Sequence, residues 1–433
     1  MMSRWNRADI GKAAPDVAGH SPVSHRWLHV TLLAIALVGW TTFILACVEG
    51  PAWSPDSSKI LFGYFDSGGG RYAVALYDLS KHKTRILFER PTTEKEDDDD
   101  FALLTAWQKD GERALILTTE GSSESSKHCT LLSLFLNSKD VPRTYDLGNA
   151  KDCWHRGMVL LQGDRLYLAG DNGVSWTNLV TGETGSSEIK GGSGFLHEHN
   201  RQVVYMRGAS RPLAGAKDKD TQEDGIEFGQ IELASAALKP AFTIWKTQFT
   251  DIKLGDSMSA AWEPDGSRLA MIGAGEETDK ILMMDQDKGP AGVLVPQLGA
   301  GPVHLGNLLW SRDGKTLYAA AITSGSKDKT CNFSLAEIPV SGAPGRLTAI
   351  APFTCEGGSA NDTSRKSDMI LPLALSPDGN WMAATPSNCD TDQFAAPDRA
   401  LFLIDLRRQD RHITRVLFPN ADRQGSQTTV KVQ

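Results

Sequence analysis

Apolar residues come in short runs along this chain, five to eight positions long, and each follows a polar turn. KILFG (59–63), RLAMIG (268–273), TLYAA (316–320) and WMAAT (381–385) are typical. Alternation of this length predicts β-strands with unlike faces. Five of the runs share one preceding phrase. It reads WSPDSSKILFG at 53–63, WQKDGERALIL at 107–117, WEPDGSRLAMIG at 262–273, WSRDGKTLYAA at 310–320 and LSPDGNWMAAT at 375–385. Two weaker copies fill the long central gap, VLLQGDRLYLAG (159–170) and LHEHNRQVVYMRG (196–208). In the phrase, Pro presets φ for the first turn position, Asp can accept from nearby backbone N–H groups, and Gly tolerates positive φ. Each copy therefore predicts strand, tight turn, strand.

The spacing extends this to a whole unit. After the first phrase come RYAVALYDL, the turn SKHK and TRILFER; the last unit has LPLALS, NWMAATP, ALFLIDL and ITRVLFP. Four antiparallel strands per repeat of about 50 residues describe a β-propeller blade. Seven units predict an all-β, seven-bladed propeller of four-stranded antiparallel blades over residues 53–418, with a polar tail at 419–433.

WSPDS, WEPDG, WSRDG and LSPDG resemble the WD-repeat-like motif of TolB-type β-propellers. The resemblance implies a fold, and assigns structural roles to Trp53, Trp107, Trp262, Trp310, Asp265, Gly266, Asp313, Gly314, Asp378 and Gly379. It implies no activity, because many unrelated proteins use this propeller. TolB itself carries an α/β domain ahead of its propeller. Here the first phrase starts six residues after Cys47, so a role different from TolB's is expected.

The longest apolar run is of another kind. Residues 27–46, WLHVTLLAIALVGWTTFILA, are long enough to cross a bilayer as a helix. Arg4, Arg7, Lys12 and Arg26 precede it and would keep residues 1–26 cytoplasmic. The run closes on ILAC, which resembles the lipobox of bacterial lipoproteins, although Ile44 and Leu45 depart from its usual residues. That resemblance implies lipidation of Cys47; the alternative is an uncleaved signal anchor. Either way, a short tether at 47–52 would hang the propeller on the extracytoplasmic side of a bacterial envelope membrane, in the periplasm or at the cell surface.

Charge and cysteine usage agree with export. The chain has 433 residues and a net charge of −8, which argues against a nucleic-acid partner. Cys129 and Cys153 are 24 residues apart, as are Cys331 and Cys355, and the two pairs fall at matching places in two repeats. They are the expected disulfides, since an exported compartment allows them. Buried free thiols are the alternative, and Cys389 is left over.

Catalytic signatures are sparse. No GxSxG elbow, P-loop or HExxH occurs. His197 and His199 could share one face of a strand and are the weak candidates for a metal; no cofactor is expected. The acidic run EKEDDDD (94–100) and the polar insertion AGAKDKDTQEDG (214–225) read as solvated connections. The sequons NFS (332–334) and NDT (361–363) matter only in a eukaryotic secretory route. The expected function is non-catalytic binding of a protein or cell-envelope ligand. The alternatives are a polysaccharide lyase or hydrolase working in the central channel, and an envelope sensor with an uncleaved anchor. His, Arg or acidic residues converging on one end of the channel would favour the enzyme.

Overall fold

The computed structural model describes residues 51–417, except 67–70, 92–102, 109–110, 121–127, 137–142, 150–154, 162–164, 171–172, 190–191, 198–201, 213–221, 233–236, 246–247, 249–258, 276–277, 287, 300–302, 325–329, 355–368, 371–372, 386 and 389–399. The hydrophobic run at 27–46, Cys47 and the tail at 419–433 lie outside the described residues.

Among the described residues the strands form seven four-stranded antiparallel sheets and one two-stranded pair. Blade 1 holds β1 (Ala52–Trp53), β2 (Lys59–Asp66), β3 (Arg71–Asp78) and β4 (Lys83–Pro91). Blade 2 holds β5 (Leu103–Trp107), β6 (Arg113–Glu120), β7 (His128–Phe135) and β8 (Arg143–Asn149). In blade 3 the strands are β9 (His155–Leu161), β10 (Arg165–Gly170), β11 (Gly173–Asn178) and β12 (Thr184–Glu188). Blade 4 is built from β13 (Gly192–His197), β14 (Gln202–Pro212), β15 (Gln222–Glu232) and β16 (Ala237–Trp245). Blade 5 contains β17 (Ala260–Trp262), β18 (Arg268–Gly273), β19 (Lys280–Asp285) and β20 (Gly289–Leu294). Blade 6 contains β21 (Val303–Trp310), β22 (Thr316–Ser324), β23 (Thr330–Pro339) and β24 (Arg346–Thr354). The last blade opens with a small extra pair, β25 (Met369–Ile370) against β28 (Ser387–Asn388). Its main sheet is β26 (Leu373–Leu375), β27 (Trp381–Ala384), β29 (Ala400–Asp405) and β30 (Ile413–Leu417).

The strand faces are less unlike than the alternation implies. Ile60, Leu61 and Phe62 are consecutive and all fully buried. Ile60 and Phe62 pack against blade 7, while Leu61 packs against blade 2. Stacking covers both faces of the inner strands, so their apolar runs are nearly continuous, as in any sheet buried on both sides. The same holds around the ring. Apolar clusters join blades 1 and 2, 2 and 3, 3 and 4, 4 and 5, 5 and 6, and 6 and 7. One more joins blade 7 back to blade 1 through Leu401, Leu403 and Ala383 against Phe62 and Tyr64. The ring thus closes by side-chain packing, because blades 1 and 7 each complete their sheet from their own stretch of chain.

Candidate functional site

The repeated phrase builds one end of the propeller. In blade 1 the Ser54 N–H donates to Lys59 O (2.8 Å) and the Ser57 N–H to Ser54 O (2.9 Å). Blades 2, 5, 6 and 7 repeat both bonds, at Gln108, Glu263, Ser311 and Ser376. This is a type I turn followed by a left-handed residue. That residue is Gly111, Gly266, Gly314 or Gly379 in four blades, with φ between 66° and 78°, and Ser57 in blade 1, with φ 60°.

Serine and aspartate brace the turn from inside. Ser54 Oγ donates to Asp56 (2.6 Å) and accepts from the Lys59 N–H (2.8 Å), while the Ser58 N–H donates to Asp56 (3.1 Å). Ser311 with Asp313, and Ser376 with Asp378, repeat the arrangement. In blade 5 the Ser267 N–H donates to Asp265 (2.8 Å), and Glu263 takes a bidentate bond from Arg268 (2.6 Å each). At Asp56 burial pushes the carboxyl up, but the bonds from Ser54 and Ser58 outweigh it and hold the group at about 2. Asp265, Asp313 and Asp378 are also lowered: Asp265 and Asp313 chiefly by hydrogen bonds, Asp378 by bonds that outweigh its burial.

The tryptophans latch neighbouring blades. Trp107 Nε1–H donates to Ala52 O (2.9 Å), Trp310 to Ala261 O (2.7 Å) and Trp53 to Ala374 O (2.9 Å). In each case the acceptor is the residue just before the phrase of the preceding blade. Trp262 is half-buried in the seam between blades 4 and 5. These residues tie neighbouring blades together.

The other candidates are scattered. His197 ends β13, opposite Gln202 at the turn end of blade 4, and His199 lies outside the described residues. Among the described residues no group of three His, Cys, Asp or Glu could hold a metal. Cys129 and Cys331 are each the second residue of their blade's third strand. Cys153, Cys355 and Cys389 lie outside the described residues, as does the acidic run at 94–100.

The opposite end of the ring carries polar chemistry that sequence reasoning missed. Asp279 is 6% exposed at the start of β19. It accepts from the Leu305 N–H (2.8 Å) on the inner strand of blade 6 and sits 3.7 Å from His304 Nδ1. Three residues on, that strand bulges: Asn307 has φ 45°, and the Leu308 N–H donates to Ser259 Oγ (2.7 Å) of blade 5. A non-glycine residue at positive φ beside a bulge is a recurrent mark of functional sites. The signal was the Gly-Asn pair inside an apolar run, LGNLL, which points to a bulge.

A second group stands on blade 4. Arg211 lies 4.1 Å over the Trp245 ring and its Nε donates to Glu223 (2.8 Å), a carboxylate only 5% exposed. Trp245 crosses Gly225 so closely that a Cβ there would come within 2.6 Å of its ring. That cross-strand fit needs glycine.

Neither a known protein family nor a curated protein sequence matches the chain. Similar solved structures exist. A prolyl endopeptidase, from an analysis of two such enzymes, is 14% identical over 90% of this chain, with a TM-score of 0.50; the match spans 52% of that chain. The propeller domain of the Trilobed protease from Pyrococcus furiosus is 11% identical, over 86% of this chain and 98% of its own, with a TM-score of 0.47. A chain of the Mitotic Checkpoint Complex is 14% identical, over 78% and 86%, with a TM-score of 0.44. At such identities the likeness shows the fold alone.

Proposed function

We propose that this chain is an exported, membrane-tethered propeller that binds a protein or cell-envelope ligand without transforming it. One observation carries the reading: short, internally bonded turns make up one end of the ring, while the other end carries the longest connections between strands, 92–102, 213–221 and 246–259 among them, beside short ones such as 171–172. Binding on rigid scaffolds tends to gather on such connections. The apolar run at 27–46, the basic residues before it and the lipobox-like ILAC support the envelope address.

Photo-crosslinking in cells tests this. A crosslinker at Thr278 or Gln222, at the long-connection end, should trap a partner. One at Lys315 or Arg408, at the turn end, should not. Equal yields from both ends would remove the basis of the reading. For the address, Cys47→Ser should abolish fatty-acid labelling, and labelling that survives it would exclude Cys47 as the acceptor.

A channel enzyme is the rival. It is favoured by the buried Asp279 carboxylate next to His304, at the long-connection end of the inner strand. That reading requires turnover of an envelope polysaccharide or peptide that His304→Ala abolishes while the fold persists.

A further inference from the structure

We infer that the outer edge of blade 5 pairs with the same edge of a second copy of this chain, independently of what binds the long-connection end. The outermost strand of a blade turns a row of backbone N–H and C=O groups away from its sheet, and charged side chains are the usual guard on such an edge. Six of the seven outer strands carry one. They are Arg85 in β4, Arg143 in β8, Glu188 in β12, Lys239 in β16, Arg346 in β24 and Arg415 in β30. β20, reading GPAGVL, has none, and the chain stays uncharged from Gly289 through Val303.

This edge is also apolar and uncovered. Among the described residues three large apolar side chains are exposed, and two of them stand here, Val293 at 44% and Val295 at 52%. Val293 pairs with Leu282, which packs into the seam between blades 4 and 5, so Val293 lies on that face at the outer rim. Exposed Pro240 and Ala241 of β16 extend the uncharged rim across the seam, where a Cβ on Gly289 would come 3.8 Å from Phe242. Gly292 supplies an independent observation. Its φ is not left-handed, and a Cβ there would meet nothing within 4 Å. It is paired with Met283, so the extra residue of the bulge is Ala291 and not this glycine. Neither turn geometry nor packing within the chain calls for glycine, and a strand glycine without such a reason marks the close approach of another backbone.

A second copy is the partner these features fit. About a twofold axis through Val293, two β20 edges run antiparallel and residues directly opposite share a face. Val293 then meets its own counterpart and Gly292 meets Leu294, within the regular stretch that follows the bulge. The incoming strand brings its own uncovered valines to the face that already holds two, and cross-strand apolar pairs of this kind stabilise a sheet. Charge does not oppose the pairing, although each chain carries −8. The nearest charge along this strand is Lys288, five residues from the axis. Its two copies would stand roughly 30 Å apart, beyond the screening length of about 10 Å. A six-residue edge buries less than the roughly 800 Å² a side of a stable complex, so the dimer is weak and forms as concentration rises.

The test is sedimentation equilibrium of the full-length protein in density-matched detergent, at concentrations up to about 0.5 mM. Wild-type protein should move from one chain towards two as concentration rises. Val293→Lys sets like charges directly opposite each other and should weaken the dimer by about tenfold or more. Its thermal melt should not change, because the side chain is already largely exposed. Val293→Thr, which keeps the β-branch and adds no charge, should weaken the dimer by less. A single chain at every concentration would overturn the pairing. So would a dimer that Val293→Lys leaves intact, since self-association would then lie elsewhere in the chain. A photoreactive residue at position 295, introduced in cells, reads the register. Its crosslinked dimer should map to residues 289–297 of the second copy. Crosslinking to a different protein, with no dimer formed, would overturn the second copy as the occupant.

Discussion

The two ends of this propeller are built on different terms. At the turn end, one phrase solves one problem several times. A Ser–Asp pair satisfies the turn's N–H groups, a left-handed residue reverses the chain, and a tryptophan ties the turn to the previous blade. Ion pairs there are either local, such as Arg408 with Asp410 and Lys81 with Asp78, or cross a seam, as Arg411 does to Glu337. At the long-connection end no phrase repeats. A polar contact crosses blades there too, Asp279 accepting from the Leu305 N–H, and part-way along the same inner strand Asn307 takes an unusual backbone conformation. Repetition therefore marks where the fold is specified; on the proposed reading, the end without it is where a partner binds. Substitutions at the turn end should cost stability, and those at the other end should change binding.

The hardest test of that division is Trp310→Ala. Trp310 is 4% exposed, in the apolar cluster between blades 5 and 6, and donates to Ala261 O. Truncation should cost about 3–5 kcal/mol through lost contacts and a cavity. Thermal melting reads this directly. Trp262→Ala, at a half-buried position, should cost less. A Trp310→Ala protein that melts like the wild type but loses its crosslinked partner would erase the distinction between the ends.

Disulfides would give the long-connection end a stability device of its own. Cys129 and Cys331 both open third strands, so the expected bonds to Cys153 and Cys355 would each staple two connections of one blade at that end. A closed loop of about 25 residues should contribute roughly 3 kcal/mol in the chain-entropy model. Peptide mapping without reduction is the measurement. Cys389 bridged to either Cys331 or Cys355 would refute the second pair.

Much of this was legible in the sequence, but unevenly. Each of the seven phrase copies runs from the first strand of a blade to its second. Turn chemistry is local, so a short motif carries it. The two-sided burial of strands such as KILFG was only half legible, because periodicity reports faces and not what stacks on them. The Asp279–His304 and Arg211–Glu223–Trp245 groups were not legible. Their members are 25, 12 and 22 residues apart in sequence, and only the blade stacking and the strand register bring them together.

Gly314→Val probes the turn end at a smaller scale. Its φ is 66°, and a Cβ there would run into Glu263, which is already clamped by Arg268. Left-handed strain alone is worth about 1–2 kcal/mol for a side chain, and more for a β-branched one. The expected loss of about 2 kcal/mol should appear in the melt without selective loss of the partner.

Acid should act on the same turns. Asp56 sits at about 2 in the folded chain, against about 3.9 when unfolded. As the pH falls the unfolded chain binds the proton first, so this contribution is intact above about pH 5 and drains away between about pH 4 and 2. Solvent screening at so exposed a turn keeps the loss to about 1 kcal/mol. Asp56→Asn should flatten that part of the stability–pH curve, and an unchanged slope would show that the Ser54 and Ser58 bonds do not hold the carboxylate.

The smallest effect belongs to Ser57, where two terms oppose. Serine replaces the glycine of the phrase, at φ 60°, and pays left-handed strain of about 1 kcal/mol. Its hydroxyl accepts from the Asp378 N–H (3.0 Å) across the seam where blade 7 meets blade 1, and a hydrogen bond of this kind contributes about 1 kcal/mol. Ser57→Gly removes both terms and should move stability by no more than about 0.5 kcal/mol either way. Ser57→Ala keeps the strain and loses the bond, so it should be destabilised by about 1 kcal/mol. The order glycine near wild type, alanine below both, would show that the residue is retained for the closing seam and not for the turn. If alanine melts like wild type, the hydroxyl contributes nothing there, and the seam rests on the Trp53 latch and the apolar cluster alone.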